Sequence, residues 1–248
     1  MTDWNQNLDL YCERITTGLM AEPLNVYSNV AFLIAAFFVW RFGKKNELMG
    51  GAETLLVVLM VLVAIGSTLF HMLSNRWSMV ADLAPLLLFQ SLFVFQYGKY
   101  IARHDNHPWI KAFFMVLIYV GSVYLISQSP IETYNGAITF LPALIFLVLF
   151  AIYHSRKARK KNFAIWLSVI FFFCALAMRS VDLEVCEFQV SGTHYGWHIG
   201  AALSMYFAMI GLLATRMDGR HLRSKHIKGL YKGEKIDTLD PHDVVEFD

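Results

Sequence analysis

The sequence predicts an all-α membrane protein with seven transmembrane helices, and two observations support this fold class. The 248 residues are 56% hydrophobic and only 16% charged, and their mean hydropathy is +0.46. A soluble domain carries charge on roughly a quarter of its residues. Apolar runs of about 20 residues, the length that crosses a bilayer, recur along the whole chain. They cover residues 26–42, 53–73, 79–98, 109–127, 135–153, 162–180 and 194–215.

The positions of Lys and Arg predict the orientation of these segments. Of the 21 such residues, all but Arg14, Arg76 and Arg179 lie in or next to the first, third and fifth links or in the C-terminal tail. Because cytoplasmic loops are rich in Lys and Arg, we expect the N-terminus outside and the C-terminus in the cytoplasm. The net charge of +2 is too small to suggest a nucleic-acid partner.

The same pattern predicts three regions. Residues 1–25 form an extracytoplasmic N-terminal segment, and residues 26–215 form the transmembrane domain. Residues 216–248 begin basic, end acidic and contain few apolar residues, so we expect a cytoplasmic tail that is partly disordered.

Polar side chains converge on the extracytoplasmic ends of several segments. His71 ends the second segment, with Ser67 one helical turn before it, and Asp82 lies near the start of the third. His194 and His198 open the seventh. Ionisable residues inside a membrane are costly and usually functional. Because distant stretches of the chain bring them to one membrane depth, we predict a functional site there.

The spacing of His194 and His198 predicts a zinc centre. Residues at i and i+4 share one helix face, so both rings can bind one ion, with His71 as the third ligand. Three protein nitrogens leave the fourth tetrahedral position of Zn²⁺ open for water, as in catalytic sites, and such water ionises with a pKa of about 7. We expect Asp82 to transfer the proton of this water to the leaving amine. Ser67 is expected to donate a hydrogen bond to the developing oxyanion.

Simpler interpretations stay open for some of these residues. His71 alone suits an interfacial side chain, and Asp82 alone suits a helix N-cap. Asp182, Glu184 and Glu187 are expected to be solvated before the seventh segment, with pairing of Asp182 to Arg179 as the alternative. The other histidines are expected to be solvated in cytoplasmic loops or the tail: His104, His107, His154, His221, His226 and His242.

Short polar motifs along the chain occur together in one known family. They are Tyr11-Cys12-Glu13-Arg14, Ala21-Glu22-Pro23-Leu24-Asn25, Ser28-Asn29, Gly66-Ser67-Thr68-Leu69-Phe70-His71, Asp82 and Gly192-Thr193-His194-Tyr195-Gly196-Trp197-His198. In combination these motifs resemble the alkaline ceramidase family, and the chain is most similar in character to its bacterial members. That family belongs to a superfamily of seven-helix membrane hydrolases that includes the adiponectin and progestin receptors.

The resemblance implies a zinc-dependent amidase that splits ceramide or a related N-acyl lipid into a long-chain base and a fatty acid. It implies zinc at His71, His194 and His198, proton transfer by Asp82, and transition-state stabilisation by Ser67. The short acidic N-terminus and compact loops resemble bacterial members and favour a multi-pass protein of a bacterial inner membrane, with the site near the periplasmic face. A eukaryotic internal membrane stays the alternative.

The N-terminal segment departs from the pattern of the eukaryotic members, which are similar to one another in a calcium site built from acidic and amide oxygens. Glu13 and Glu22 match that site as a candidate second metal site. Leu10 stands where an aspartate would, and Ile15 where an asparagine would. Calcium takes six or more oxygen ligands, so it would be poorly served here. In the alternative, Arg14 neutralises Glu13 or Glu22.

The family resemblance further implies a disulfide between Cys12 and Cys186. Both cysteines lie on the extracytoplasmic side, where an oxidising compartment permits the bond. The alternative is two unpaired thiols that pack as small apolar side chains. Cys174 falls within the sixth segment, and we expect it to pack in the core.

Two functions from other classes compete with hydrolysis. A seven-helix receptor or sensor would bind lipid and use zinc only for structure, but such an ion needs neither Asp82 nor Ser67. Haem ligation needs single histidines on two facing helices. The spacing of His194 and His198 points both rings at one small volume and therefore disfavours haem.

Overall fold

The computed structural model describes residues 3–128, 133–157 and 163–232. Within these ranges, 7 helices are long and apolar enough to cross a membrane, which confirms the predicted fold class. α1 and α2 together make the first of these spans, Pro23–Lys45. The helices are α1 (Pro23–Ser28), α2 (Val30–Lys45), α3 (Gly51–Leu73), α4 (Arg76–Ile101), α5 (Pro108–Ser127), α6 (Leu141–Lys157), α7 (Ala164–Val181) and α8 (His194–Lys232). Short 3₁₀ helices at Thr133–Phe140 and Leu183–Val185 precede α6 and follow α7.

The helix ends differ from the predicted segments for local reasons. α1 begins at Pro23, because proline at the first helical position needs no hydrogen-bond acceptor for its nitrogen. Left-handed backbone at Tyr134, Asn135 and Gly136, with φ of 52°, 49° and 70°, delays the start of α6. α8 begins at His194 as predicted but continues to Lys232, so the first part of the predicted tail is helical. Residues 233–248 lie outside the described part of the chain.

The outer surface of the bundle is apolar, as contact with lipid requires. Phe113, Ile118 and Phe173 are among the large hydrophobic side chains that point away from the protein. Cys174 is also exposed on this surface, next to Phe173, so the prediction that it packs in the core is wrong. The core forms mainly around α8, which packs against α2 and α7.

The N-terminal segment lies across one end of the bundle, which we call the N-terminal face. The backbone N–H of Leu8 donates to the carbonyl of Ser74 at 2.7 Å, and that of Trp77 donates to the carbonyl of Trp4 at 3.3 Å. α3 and α7 end at this face, and α4 and α8 begin there. Asn75 caps α4 by accepting from the N–H of Ser78. Asp82 lies within α4, so its interpretation as an N-cap is wrong.

Among the other histidines, His154 is buried, so the prediction of a solvated side chain is wrong for this residue. It is 2% exposed, and its Nδ1 lies 2.9 Å from the hydroxyl of Tyr97. The reason is that α6 extends to Lys157 and keeps His154 inside the bundle. His104 and His107 are exposed, as predicted. The predictions for His221, His226 and His242 concern side chains outside the described residues.

Candidate metal centre

The structure brings together the three histidines that the sequence singled out. One potential ligand atom from each of His71, His194 and His198 lies within 4.8 Å of the others, and all three side chains are buried. The last turn of α3 supplies His71, and the first turns of α8 supply the other two from one helix face. Two helix ends that are distant in the sequence therefore form a single cluster of imidazoles at the N-terminal face.

Glu22 orients the ring of His71. The Nδ1 of His71 lies 2.5 Å from one carboxylate oxygen of Glu22, so Nδ1 carries the proton and Nε2 keeps a free lone pair. The Nε of Arg14 donates to the other oxygen at 2.5 Å. Burial disfavours the charge on Glu22, but hydrogen bonds and charges from His71, Asn25 and Arg14 hold the pKa of this carboxyl below its usual value. Carboxylate–histidine pairs of this kind fix ligand geometry in metalloproteins.

Ser28 orients the ring of His198 in the same way. Its hydroxyl donates to the carbonyl of Asn25 at 3.0 Å and lies 2.7 Å from the Nδ1 of His198, so it accepts the Nδ1 proton. The Nε2 of His198 then faces the Nε2 of His71 at 3.1 Å. Two nitrogens bound to one tetrahedral zinc are about 3.3 Å apart. The Nδ1 of His194 is also buried and has no hydrogen-bond partner among the described residues. The residues present therefore fit a metal ion.

Tyr11 covers the third imidazole. Its ring stacks on that of His194 with 3.7 Å between centroids. Burial raises the pKa of the Tyr11 hydroxyl to about 12, although the nearby charge of Arg179 opposes this effect. Tyr11 is therefore a neutral phenol at physiological pH, and it supplies an uncharged wall to the site.

Asp182 is a site residue that sequence reasoning missed. It is buried, so the prediction of a solvated side chain is wrong. One of its oxygens accepts the N–H groups of Thr193 and His194 at 2.6 and 2.9 Å, and the other accepts the N–H of Cys12 at 3.1 Å. Arg179 instead donates to the carbonyl of Asn135. Asp182 thus fixes the start of α8, and with it His194, to the N-terminal segment.

Ser67 and Asp82 lie next to the histidine cluster. The hydroxyl of Ser67 is buried 3.5 Å from the Nε2 of His198. Asp82 lies beside Ser67, close enough for the two side chains to interact. Gly66 permits this arrangement, because a Cβ there would overlap the carbonyl oxygen of Ala81 on α4. The close approach of α3 and α4 thus brings the predicted proton-transfer residue to the cluster.

Two cavities lie on either side of a contact between Phe140 and Trp197, the residue next to His198. The outer cleft opens at the N-terminal face, and Asp82, Tyr11 and Arg179 contribute to its walls together with Phe140. The apolar slot lies deeper in the bundle. The ring of Trp197, which lines the slot, lies 4.8 Å from the ring of Phe140 in the outer cleft. Other residues that line the slot include Phe89, Phe93, Leu147, Phe172 and Met205.

A comparison with protein-family models matches residues 8–237 to the family described as Ceramidase. The chain belongs to the ceramidase family. The match includes the N-terminal segment from residue 8 onward and all seven spans, so the family that the motifs resembled is confirmed. A comparison with curated protein sequences gives no match.

At the candidate second metal site of this ceramidase-family protein, the carboxylate oxygens already accept hydrogen bonds from other groups of the protein. The two carboxylate oxygens of Glu13 accept the N–H groups of Leu24 and Asn25 at 2.7 and 2.9 Å, at the start of α1. Burial raises the pKa of Glu13, although these two N–H groups oppose the shift. The oxygens of Glu22 accept from Arg14, Asn25 and His71. This arrangement matches the alternative in which Arg14 neutralises Glu22.

Cys12 and Cys186 form a disulfide in the ceramidase-family structure. Their Cα atoms are 5.3 Å apart, and 174 positions separate them in the sequence. The bond joins the N-terminal segment to the link between α7 and α8, as the family resemblance implied. It therefore holds Tyr11 and Asp182 in place on either side of His194.

Removing this disulfide should lower stability. We expect Cys12→Ser to reduce the free energy of unfolding by about 2–4 kcal/mol, because the bond closes a long loop. Thermal midpoints measured with and without reductant test this. Reductant should lower the midpoint of the wild-type protein but not that of a Cys12→Ser/Cys186→Ser double variant. Equal sensitivity of the two proteins would contradict a role for the bond.

Gly66→Ala should separate α3 from α4. The new methyl group would overlap the carbonyl oxygen of Ala81, and relief of such overpacking costs about 1–3 kcal/mol. We also expect loss of hydrolytic activity, because Ser67 and Asp82 would move apart. Gly121→Ala is the matched control, since a Cβ there meets nothing within 4 Å. Equal midpoints and activities for the two variants would show that the close approach is unimportant.

Proposed function

We propose that this protein is a zinc-dependent intramembrane amidase that hydrolyses ceramide or a related N-acyl lipid to a long-chain base and a fatty acid. The observation that supports it best is the pair of Nε2 atoms of His71 and His198, which face each other at 3.1 Å with both Nδ1 protons engaged elsewhere. Buried lone pairs in this arrangement need a cation between them. Neutral imidazoles suit zinc, which polarises a carbonyl and activates water when bound in such a site.

The side chains around the cluster suit the proton movements of amide hydrolysis. Asp82 takes a proton from the attacking water and delivers it to the nitrogen of the leaving amine as the C–N bond breaks. Ser67 donates a hydrogen bond to the carbonyl oxygen as negative charge develops there. Asp82 lines the outer cleft, where a scissile amide can approach, and Ser67 lies beside Asp82 and His198.

The two cavities suit the two parts of such a lipid. The apolar slot provides aromatic and aliphatic walls for a hydrocarbon chain, and the outer cleft provides polar groups for the headgroup. Their contact at Phe140 and Trp197 would place the amide between them, beside the cluster.

The charge distribution supports the orientation in this proposal, and the resemblance to bacterial members supports the choice of membrane. We place the N-terminal face at the periplasmic side of a bacterial inner membrane, and residues 216–248 in the cytoplasm. Calcium at Glu13 and Glu22 stays a prediction with less support, because all four of their carboxylate oxygens accept hydrogen bonds from the protein.

Asp82→Asn tests the proposed reaction. The amide keeps the shape of the side chain but cannot accept the proton, so we expect turnover of N-acyl sphingosine to fall by about 10²–10⁴-fold. Metal content, measured by elemental analysis, should stay unchanged. Asp105→Asn is the control, since Asp105 pairs with Lys111 on the surface and follows the end of α4 that is opposite the site.

Two outcomes would contradict the assignment of Asp82. Full activity of Asp82→Asn would exclude proton transfer by this residue, and loss of metal would make it a ligand or a structural residue. If the wild-type protein binds metal and lipid but releases no product, the proposed function fails and the alternative of a lipid receptor gains support.

A further inference from the structure

Arg179 is a half-buried cation that the proposed reaction does not use. It lies in the last turn of α7, with its guanidinium carbon 5.6 Å from the ring centre of Tyr11 and 5.4 Å from those of Phe140 and Trp197. Its Nε donates to the carbonyl of Asn135 at 3.1 Å. Among the described residues, no carboxylate lies within ion-pair distance of it. A cation at such a depth is costly and is usually retained for function.

The position of Arg179 places it beside the reacting centre. Its guanidinium lies over the ring of Tyr11, whose ring in turn stacks on His194. It shares the outer cleft with Asp82 and with Asp9, which lies at the mouth of the cleft. An anion bound by Arg179 would therefore lie within the space where the headgroup of a lipid amide is expected.

The hydrogen bond to Asn135 uses only the Nε of Arg179, and a bound anion would contact the terminal nitrogens of the guanidinium. With Nε engaged and three aromatic rings around it, the guanidinium is held in place, and its terminal nitrogens lie in the cleft beside the hydroxyl of Tyr11. Two parallel N–H groups match the oxygens of a carboxylate. A neutral headgroup such as that of ceramide offers no negative charge to this guanidinium.

We propose that Arg179 binds a carboxylate of the lipid and directs the protein toward N-acyl amino acids, in which the headgroup carries that charge. This inference rests on the proposed amide hydrolysis. The fatty acid that the reaction releases also carries a carboxylate. The experiment therefore has to distinguish binding of the substrate headgroup from binding of this product.

Two substrates that differ in one group provide the first test. N-oleoyl serine and N-oleoyl serinol share the amide and the acyl chain, but only the first carries a carboxylate. For the full-length protein in lipid nanodiscs, we expect Arg179→Met to lower kcat/KM for N-oleoyl serine by about 10–100-fold, through KM, the loss typical of a hydrogen bond to a charged group. The value for N-oleoyl serinol should change by less than about 3-fold on the same reasoning.

Arg76→Met is the matched control. Arg76 lies at the same face, at the start of α4, but does not line the outer cleft. Arg76→Met should leave the ratio of the two kcat/KM values unchanged. This result would distinguish binding at Arg179 from a general attraction of anions to positive charge at this face. If Arg179→Met does not fold, Arg179→Lys keeps the charge without the planar fork and should lose part of the preference.

Inhibition by oleate separates the two sources of the carboxylate. If Arg179→Met weakens inhibition by oleate but leaves the substrate ratio unchanged, Arg179 binds the released fatty acid and the preference for N-acyl amino acids is wrong. Equal losses on both substrates, or no change in the ratio and in inhibition, would overturn the proposal altogether.

A binding measurement makes this inference independent of turnover. In the Asp82→Asn background, N-oleoyl serine should raise the thermal midpoint more than N-oleoyl serinol does, and Arg179→Met should remove that difference. If this difference is found and no amide is hydrolysed by the wild-type protein, the proposed function fails while the carboxylate site stands. If amides are hydrolysed and the difference is absent, only the carboxylate site fails.

Discussion

Replacing His198 with alanine should remove the bound metal and reduce amide hydrolysis to background. His198 supplies one of the three converging ligand atoms, and its Nε2 faces that of His71 at 3.1 Å. Loss of a residue that merely orients a ligand costs about 10–100-fold in metal affinity or activity, so loss of the ligand itself should exceed that range. Metal content and hydrolysis of N-acyl sphingosine, measured on the same preparation, check this result.

His107→Ala is the control for this variant. His107 is exposed before α5 and lies outside the cluster, so metal content and activity should match the wild-type protein. A His198→Ala protein that keeps stoichiometric metal and normal turnover would show that the three imidazoles are not the metal centre, and the proposed function would fail with it.

The largest loss of stability is expected from Asp182→Ala. The change leaves the buried N–H groups of Cys12, Thr193 and His194 without their acceptor. Each unsatisfied buried group costs about 1–3 kcal/mol, so the free energy of unfolding should fall by about 3 kcal/mol or more. We also expect weaker metal binding, because the first turn of α8 carries His194. The thermal midpoint in detergent and the metal content of the same sample provide the measurement.

Glu184→Ala is the matched comparison for Asp182→Ala. Glu184 lies two residues further along the same link and is exposed, so its loss should change stability by less than about 0.5 kcal/mol. Similar midpoints for the two variants would mean that the buried carboxylate does not hold the N-terminal segment to α8.

Much of the fold could be predicted because a bilayer imposes a fixed length and polarity on each span. The starts of α3, α5 and α8 follow closely from where the apolar runs begin. The convergence of the histidines was equally accessible, since membrane depth and the i, i+4 spacing of His194 and His198 act through local geometry. Helix ends in irregular backbone, such as the left-handed residues before α6, depend on contacts that hydropathy does not register.

The residues that orient the site were harder to find because their roles arise only from tertiary contacts. Asp182 and Glu22 have no distinctive spacing to the histidines, and each could equally be a surface carboxylate. Which groups they accept is decided by how the N-terminal segment packs on the bundle. His154 shows the same limit, since a small extension of α6 changes a solvated residue into a buried one.

The hydrogen bonds from Glu22 and Ser28 have a consequence for how the protein acquires its metal. They come from residues near the beginning of the chain, while one of the rings they orient, His198, lies near its end. No separate half of the polypeptide can therefore present the correct nitrogen atoms, and two co-expressed fragments would have to associate before binding an ion. Because metal binding is then linked to completed folding, metal stoichiometry in a purified sample reports the fraction of molecules that reached the native state.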